Sequence, residues 1–211
     1  SLVGELMLPV PILLIENQPA FNQVLKSILA GLGYPAELIL STDHLAEAEQ
    51  LLQHYLPNLI LINLSLDQTE TITFIKKIKE IHPDSKLMVS LAQQQTALLF
   101  EAIQAGAQGY IFHEYTQAEI LNNIKIMLRG GAPMHHILAQ YILAYQVQSH
   151  TTISLTHTNK LIKLTATEYE ILNLISEGLN PQQVAEQTSS SLYKIEGNIK
   201  NTYRKIACLE N

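Results

Sequence analysis

Residues that could do chemistry follow short apolar runs in the first part of the chain. These runs are 12–15, 59–62, 87–89 and 110–112. The residues at their ends are Glu16, Asn17, Asn63, Ser90, Leu91 and His113. They include one carboxylate, and amides are poor nucleophiles and uncharged ligands. The chain offers no nucleophile–base pair, metal-ligand cluster or cofactor motif, so we expect no enzyme activity, no cofactor and no metal.

A second group of candidate residues lies on a basic segment near the C-terminus. Apolar residues at 195, 199, 203 and 206 recur at helical spacing and predict a buried stripe, which leaves polar residues on the outer face. The candidate DNA contacts are Ser191, Lys194, Asn198, Lys200, Asn201, Arg204 and Lys205. Lysine and arginine can neutralise phosphates, and asparagine can pair with an adenine edge. Glu196 interrupts the basic face, and we expect it to repel the DNA backbone.

The apolar runs of residues 10–132 alternate with amphipathic segments, which predicts repeated strand–helix units. Because the runs are apolar throughout, their strands should be buried on both faces. The predicted fold class is α/β, a five-stranded doubly wound parallel sheet of the flavodoxin-like type. Loops at the carboxyl ends of such strands form the functional edge, where Glu16, Asn63 and His113 should meet.

Residues 133–160 are predicted to form a linker helix over 134–148 and a short hairpin of 152–155 with 161–164. Residues 161–211 are predicted to form a small all-α helix-turn-helix domain. A capping box at Thr165 to Glu168 begins one helix, the pair Asn180-Pro181 begins a second, and Ser191 caps a third. This succession can offer one helix to a DNA groove.

Composition narrows the function classes. The net charge of −6 argues against a protein that coats nucleic acid with its whole surface, so any DNA contact must be focused. Charged residues make up only 15% of the chain, which favours a partner surface such as that of a homodimer. The single cysteine, Cys208, is typical of a reducing compartment, and no apolar run is long enough to cross a membrane. We therefore expect a cytoplasmic protein.

Several motifs carry a family resemblance. The segments Glu16-Asn17-Gln18-Pro19, 57–66 and 105–113 resemble receiver domains of NarL/FixJ-type response regulators. The segments 164–172 and 177–186 resemble the LuxR-type helix-turn-helix. The resemblance covers nearly the whole chain and implies a receiver joined to a DNA-binding domain. It also implies a fourth helix after the basic one, which we expect residues 161–211 to lack.

The resemblance further implies a phosphorylation site built from an acid pair, an acceptor aspartate, a hydroxyl residue and a lysine. Here Glu16 and Asn17 stand at the positions of the acid pair, Asn63 at that of the acceptor and His113 at that of the lysine. Ungapped counting from Gly106 puts Leu91 at the hydroxyl position, with Ser90 one residue early. An amide cannot replace the attacking carboxylate, so we expect a pseudo-receiver. The competing interpretation is a misaligned working receiver that uses Asp67.

Two hypotheses of function follow. The first is a DNA-binding transcriptional regulator that works without phosphorylation, as a homodimer or under a protein partner or ligand that replaces the kinase. The second is a protein-interaction module that bridges or titrates other regulators without binding DNA. Glu196 and Gly197 favour the second hypothesis, and the basic face favours the first.

Overall fold

The first part of the chain folds as one parallel sheet in the computed structural model, which describes residues 11–151 and 161–209. The strands are β1 (Ile12–Ile15), β2 (Ile39–Thr42), β3 (Leu59–Asn63), β4 (Lys86–Leu91) and β5 (Gly109–Phe112). They pair in parallel in the order β2-β1-β3-β4-β5. This confirms the predicted five-stranded flavodoxin-like sheet.

Helices cover both faces of the sheet. They are α1 (Pro19–Gly31), α2 (Leu45–His54), α3 (Gln68–Ile81), α4 (Thr96–Ala105) and α5 (Gln117–Leu128). One apolar cluster joins the sheet to α2, α3 and α4, and a second joins it to α1 and α5. Every residue of β1 and β3 is buried, which explains why these strands are apolar without alternation.

Four further helices follow: α6 (His136–Thr151), α7 (Ala166–Ser176), α8 (Pro181–Gln187) and α9 (Leu192–Ala207). The predicted caps are confirmed at Thr165, Asn180 and Ser191, whose side chains each accept a backbone N–H from the first turn. None of the described helices is long and apolar enough to span a membrane.

The part of the predicted hairpin that the structure describes is not a strand. Its first strand and turn, at 152–160, lie outside the described residues, whereas 161–164 are not a strand. The backbone N–H of Ile162 instead donates to Gln146 Oε1 at 2.9 Å, and its carbonyl accepts from Gln146 Nε2 at 2.8 Å. Because the side chain of α6 satisfies this backbone, no partner strand is needed there.

The helix-turn-helix domain packs against the receiver. The ring of Phe100 on α4 contacts Tyr141 and Tyr145 of α6 at centroid distances of 5.4 and 4.8 Å. Helix α9 in turn contacts α4, and the apolar cluster of the sheet continues into α7, α8 and α9. The basic helix is therefore held beside the receiver.

Candidate functional site

The carboxyl edge of the sheet brings Glu16, Asn17 and Asn63 together. Asn63 is fully buried, and its Nδ2 donates to Glu16 Oε1 at 2.8 Å and lies 3.5 Å from Asn17 Oδ1. Its Oδ1 accepts the backbone N–H of Ser65 at 2.9 Å. The amide thus uses both its donor and its acceptor, and the nitrogen occupies the place beside Glu16 where a second carboxylate oxygen would otherwise stand.

The hydroxyl position needs a correction. Ser90, and not Leu91, is the register partner of Asn63 in the β3–β4 ladder. Leu91 is buried in the apolar cluster beneath α3 and α4, while Ser90 is fully buried and its hydroxyl is among the groups that lower the pKa of Glu16. A hydroxyl is therefore retained in this pocket.

His113 follows β5 and is held by its backbone and by an aromatic contact. Its N–H donates to the Leu91 carbonyl at 2.9 Å, and its ring lies 5.0 Å from the ring of Phe21. Burial lowers the pKa of His113, and its Nε2 is enclosed without a hydrogen-bond partner. A neutral ring of this kind does not replace the charge of a lysine.

Glu16 is the one acid in this group and is itself buried. Burial raises the pKa of Glu16 above its usual range, although the Asn63 amide and the backbone N–H of Gln18 oppose that rise. The second oxygen, Oε2, has no hydrogen-bond partner. One carboxylate beside two amides carries less negative charge than the acid pair and acceptor aspartate with which a receiver holds Mg²⁺ and accepts a phosphoryl group.

Replacing Asn63 with aspartate should destabilise the protein in a pH-dependent manner. The substitution puts two carboxylates at hydrogen-bond distance, which raises their folded-state pKa values further. The folded state then holds more protons than the unfolded state, so stability falls as pH rises. We expect Asn63→Asp to lose about 2 kcal/mol at pH 8 and clearly less at pH 5, as measured by urea unfolding.

The matched control for this prediction is Asn122→Asp, an exposed asparagine on α5. It should change the free energy of unfolding by less than about 0.5 kcal/mol at either pH. Equal effects of the two substitutions at both pH values would contradict the tight contact between Asn63 and Glu16.

The outer face of α9 carries most of the predicted DNA contacts. Ser191 caps the helix, and Lys194, Asn201 and Arg204 are exposed. Asn198 Nδ2 donates to the Lys194 carbonyl one turn earlier at 2.9 Å. Arg204 Nη1 donates to Asn201 Oδ1 at 3.2 Å, which leaves its other donors available.

Lys205 does not belong to this face, which corrects the sequence prediction. Its Nζ donates to both carboxylate oxygens of Glu168 on α7, with 2.9 Å to Oε2. The side chain of Glu168 is only 3% exposed, so Lys205 neutralises a buried charge between two helices. The apolar stripe alone could not reveal this, because the partner lies on another helix.

The loop that follows α5 holds the opposite edge of α9. Arg129 forms an ion pair with Glu196, whose side chain is 13% exposed, and Lys200 Nζ donates to the Gly130 carbonyl at 3.1 Å. The hydroxyl of Tyr203 donates to the Pro133 carbonyl. Arg129 was not among the residues predicted from the sequence. Glu196, which we expected to repel the DNA backbone, is paired with it.

Close packing at Gly131 supports the same contact. A Cβ added there would lie 3.0 Å from Ile126 Cγ2 and 3.1 Å from Glu196 Oε2. The small residue therefore lets α9 approach the receiver. Lys194, Asn198 and Asn201 consequently line a cleft of about 420 Å³ whose other wall is Arg129 to Gly131. The outer face of α9 at these three residues therefore faces the loop that follows α5.

A five-stranded parallel sheet with Glu16, Asn17 and Asn63 at its carboxyl edge, followed by a helix-turn-helix, defines the two-domain architecture of this protein. Residues 12–125 match the family described as "Response regulator receiver domain". The chain belongs to this family. The motifs that first suggested it lie at the ends of β1, β3 and β5.

Relatives extend the likeness beyond the receiver. The chain is 21% identical to transcriptional regulatory protein DegU of Brevibacillus brevis over 207 residues, which cover 93% of this chain and 87% of that protein. It is 22% identical to fimbriae Z protein of Salmonella typhimurium over 204 residues, which cover 95% and 91% of the two chains.

Among solved structures, the RcsB response regulator of Salmonella typhimurium matches with a TM-score of 0.55 at 16% identity, covering 97% of this chain and 95% of that chain. An RcsB–DNA complex matches with a TM-score of 0.53, also at 16% identity, with 97% and 94% covered. These likenesses show that the two-domain fold is shared.

Proposed function

We propose that this protein is a DNA-binding transcriptional regulator that works without phosphorylation of its receiver domain. The observation that carries the proposal is the buried amide of Asn63, which donates to Glu16 at 2.8 Å where an acceptor carboxylate would be needed. DNA binding is supported by the exposed cations of α9 and by relatives that are transcriptional regulators. We also propose that the protein has no enzyme activity and that it acts in the cytoplasm.

Incubation with Mg²⁺ and a small phosphodonor should leave the intact mass of the protein unchanged. Asn63 cannot form an acyl phosphate, and neither Asn17 nor neutral His113 supplies the missing charge. Asn63→Asp alone should also stay unmodified, because Asn17 still leaves the acid pair incomplete. Mass spectrometry of both proteins, beside a working receiver treated in parallel, makes the measurement. An acid-labile phosphoryl adduct on wild type would overturn the pseudo-receiver, including the version in which Asp67 serves.

Asp67 is accounted for by a local role. Its carboxylate accepts the backbone N–H of Glu70 at 2.9 Å and so caps α3. A carboxylate engaged in a cap at the start of a helix stabilises that helix. This contact supports the interpretation that Asp67 has a structural role and is not the phosphate acceptor.

The docked state of α9 provides the point of control. In this arrangement Arg129, Gly130 and Pro133 hold the helix, so binding to a duplex requires the two domains to separate. We propose that a protein partner or ligand shifts this equilibrium in place of a kinase. The pairing of Glu196 with Arg129 weakens one argument for the alternative, a protein-interaction module, because Glu196 then serves docking. Gly197 still favours that alternative.

We further propose that the active species is a homodimer. The candidate pairing surfaces are α4 and α5 of the receiver and the linker helix α6. Helices α4 and α6 are engaged inside the chain by α9 and α7, whereas the outer face of α5 is polar and exposed. Pairing through α4 or α6 would thus accompany release of α9. Light scattering at tens of micromolar should show a larger dimer fraction for Arg129→Glu than for wild type, and a strictly monomeric mass for both would contradict the proposal.

A further inference from the structure

A second cleft lies between the receiver and α9, at the edge of the sheet opposite Glu16 and Asn63. Its volume is about 180 Å³. The lining residues that matter here are Lys86 at the start of β4, Gly130 and Gly131 after α5, and Lys200, Tyr203 and Arg204 on α9. Both domains therefore contribute to it, and it is complete only when α9 is docked.

The charge lining this cleft is of one sign. Within residues 11–151 and 161–209, no acidic side chain lines it, whereas Lys79, Lys86, Lys200 and Arg204 do. Lys79 is already engaged, because its Nζ donates to the carbonyls of Pro83 and Ser85. The other three cations make no ion pair in the described part of the chain.

Spare hydrogen-bond donors converge on the same space. Lys86 Nζ donates to the Leu128 carbonyl at 3.0 Å, and Lys200 Nζ donates to the Gly130 carbonyl at 3.1 Å. An ammonium has three N–H donors, so each lysine retains two, and the guanidinium of Arg204 retains more. Such donors bind phosphate oxygens through charge-assisted hydrogen bonds.

Docking brings like charges together at this point. The pKa of the Lys86 ammonium is lowered mainly by burial and further by the positive charge of Lys200. The first of these lysines belongs to the receiver and the second to α9, so their repulsion opposes docking. An anion placed between them would convert that repulsion into attraction to both domains.

We propose that this cleft is a binding site for a small phosphate ester, which holds α9 against the receiver. The volume is below the range of roughly 300 to 1,000 Å³ found for drug-sized ligands, so the organic part must be small. Met127, Ala132 and Ala207 supply an apolar wall for it. The proposed site requires that α9 is docked on the receiver, and it does not depend on whether α9 binds DNA.

Glycerol 3-phosphate is a suitable probe, with glycerol as the neutral control at matched ionic strength. Isothermal titration with the full chain should show saturable binding of the phosphate ester and none of glycerol. Lys86→Gln should weaken binding by about tenfold, the loss of one charge-assisted contact. Lys200→Gln should do the same, and Lys125→Gln, on the exposed face of α5 outside the cleft, should have no effect.

Dependence on both domains is tested by Arg129→Glu, which removes a docking contact without touching the cleft and should also weaken glycerol 3-phosphate binding. Thermal unfolding without ligand establishes that each variant is folded. A short DNA duplex in place of the probe separates the two sources of phosphate. The proposal would be overturned if wild type failed to bind the probe, or if wild type and Lys86→Gln bound it with equal affinity. It would also be overturned if Lys86→Gln weakened binding of the duplex alone.

Discussion

Glu196→Lys is expected to tighten DNA binding by about tenfold or more at low salt. The substitution breaks the ion pair with Arg129 that holds α9 to the receiver, and it adds a cation to the DNA-facing helix. Each added phosphate contact contributes a charge-assisted hydrogen bond and steepens the dependence of affinity on salt. Fluorescence anisotropy with genomic fragments over a range of salt concentrations measures both quantities.

The contribution of domain release is separated from that of charge by two controls. Arg129→Glu also breaks the ion pair but leaves the charge of α9 unchanged, so it should tighten binding less and leave the salt slope as in wild type. The exchange Arg129→Glu/Glu196→Arg restores an ion pair while it increases the charge of α9. Its affinity should fall below that of Glu196→Lys. Equal affinities of Arg129→Glu/Glu196→Arg and Glu196→Lys for DNA would show that the ion pair does not restrain α9.

Lys205→Met is expected to lower the free energy of unfolding by about 2 kcal/mol. The substitution leaves the carboxylate of Glu168, which is 3% exposed, without its cation. Removal of one partner from a buried pair costs about 3 to 5 kcal/mol, and the 31% exposure of Lys205 places this pair below that range. Urea unfolding monitored by circular dichroism gives the value.

Lys163→Met, an exposed lysine before α7, is the control and should change stability by less than about 0.5 kcal/mol. The double variant Lys205→Met/Glu168→Leu should recover much of the loss, because two apolar residues can replace a buried ion pair at little cost. A loss in Lys205→Met no greater than in Lys163→Met would contradict the structural role assigned to Lys205.

The sheet and the helix starts could be predicted because their signals are local. Continuous apolar strands, the capping box at Thr165 and the Asn180-Pro181 pair each depend on neighbours within a few residues. The position of Asn63 at the end of β3 was equally visible in the sequence. Its contact with Glu16 followed from the parallel sheet, which brings the carboxyl ends of β1 and β3 together.

Side-chain contacts between elements that are not neighbouring strands of the sheet could not be predicted. Arg129 and Glu196 are 67 residues apart, and Lys205 and Glu168 are 37 apart, so no periodicity connects them. The count from Gly106 pointed to Leu91, whereas the β3–β4 register places Ser90 opposite Asn63. The two ion pairs depend on packing between elements, which one sequence does not encode as a pattern.

DNA binding should occur through α9 and without phosphorylation. The most direct test is the titration of genomic DNA fragments with wild type and with Lys194→Glu/Arg204→Glu, two exposed cations that do not bond to the receiver. Each titration is made with and without Mg²⁺ and a phosphodonor. We predict salt-dependent binding by wild type that the phosphodonor does not change, and a loss of about a hundredfold in the double variant. Binding by wild type only after phosphodonor treatment, or affinity equal to that of the double variant at low salt, would contradict the account.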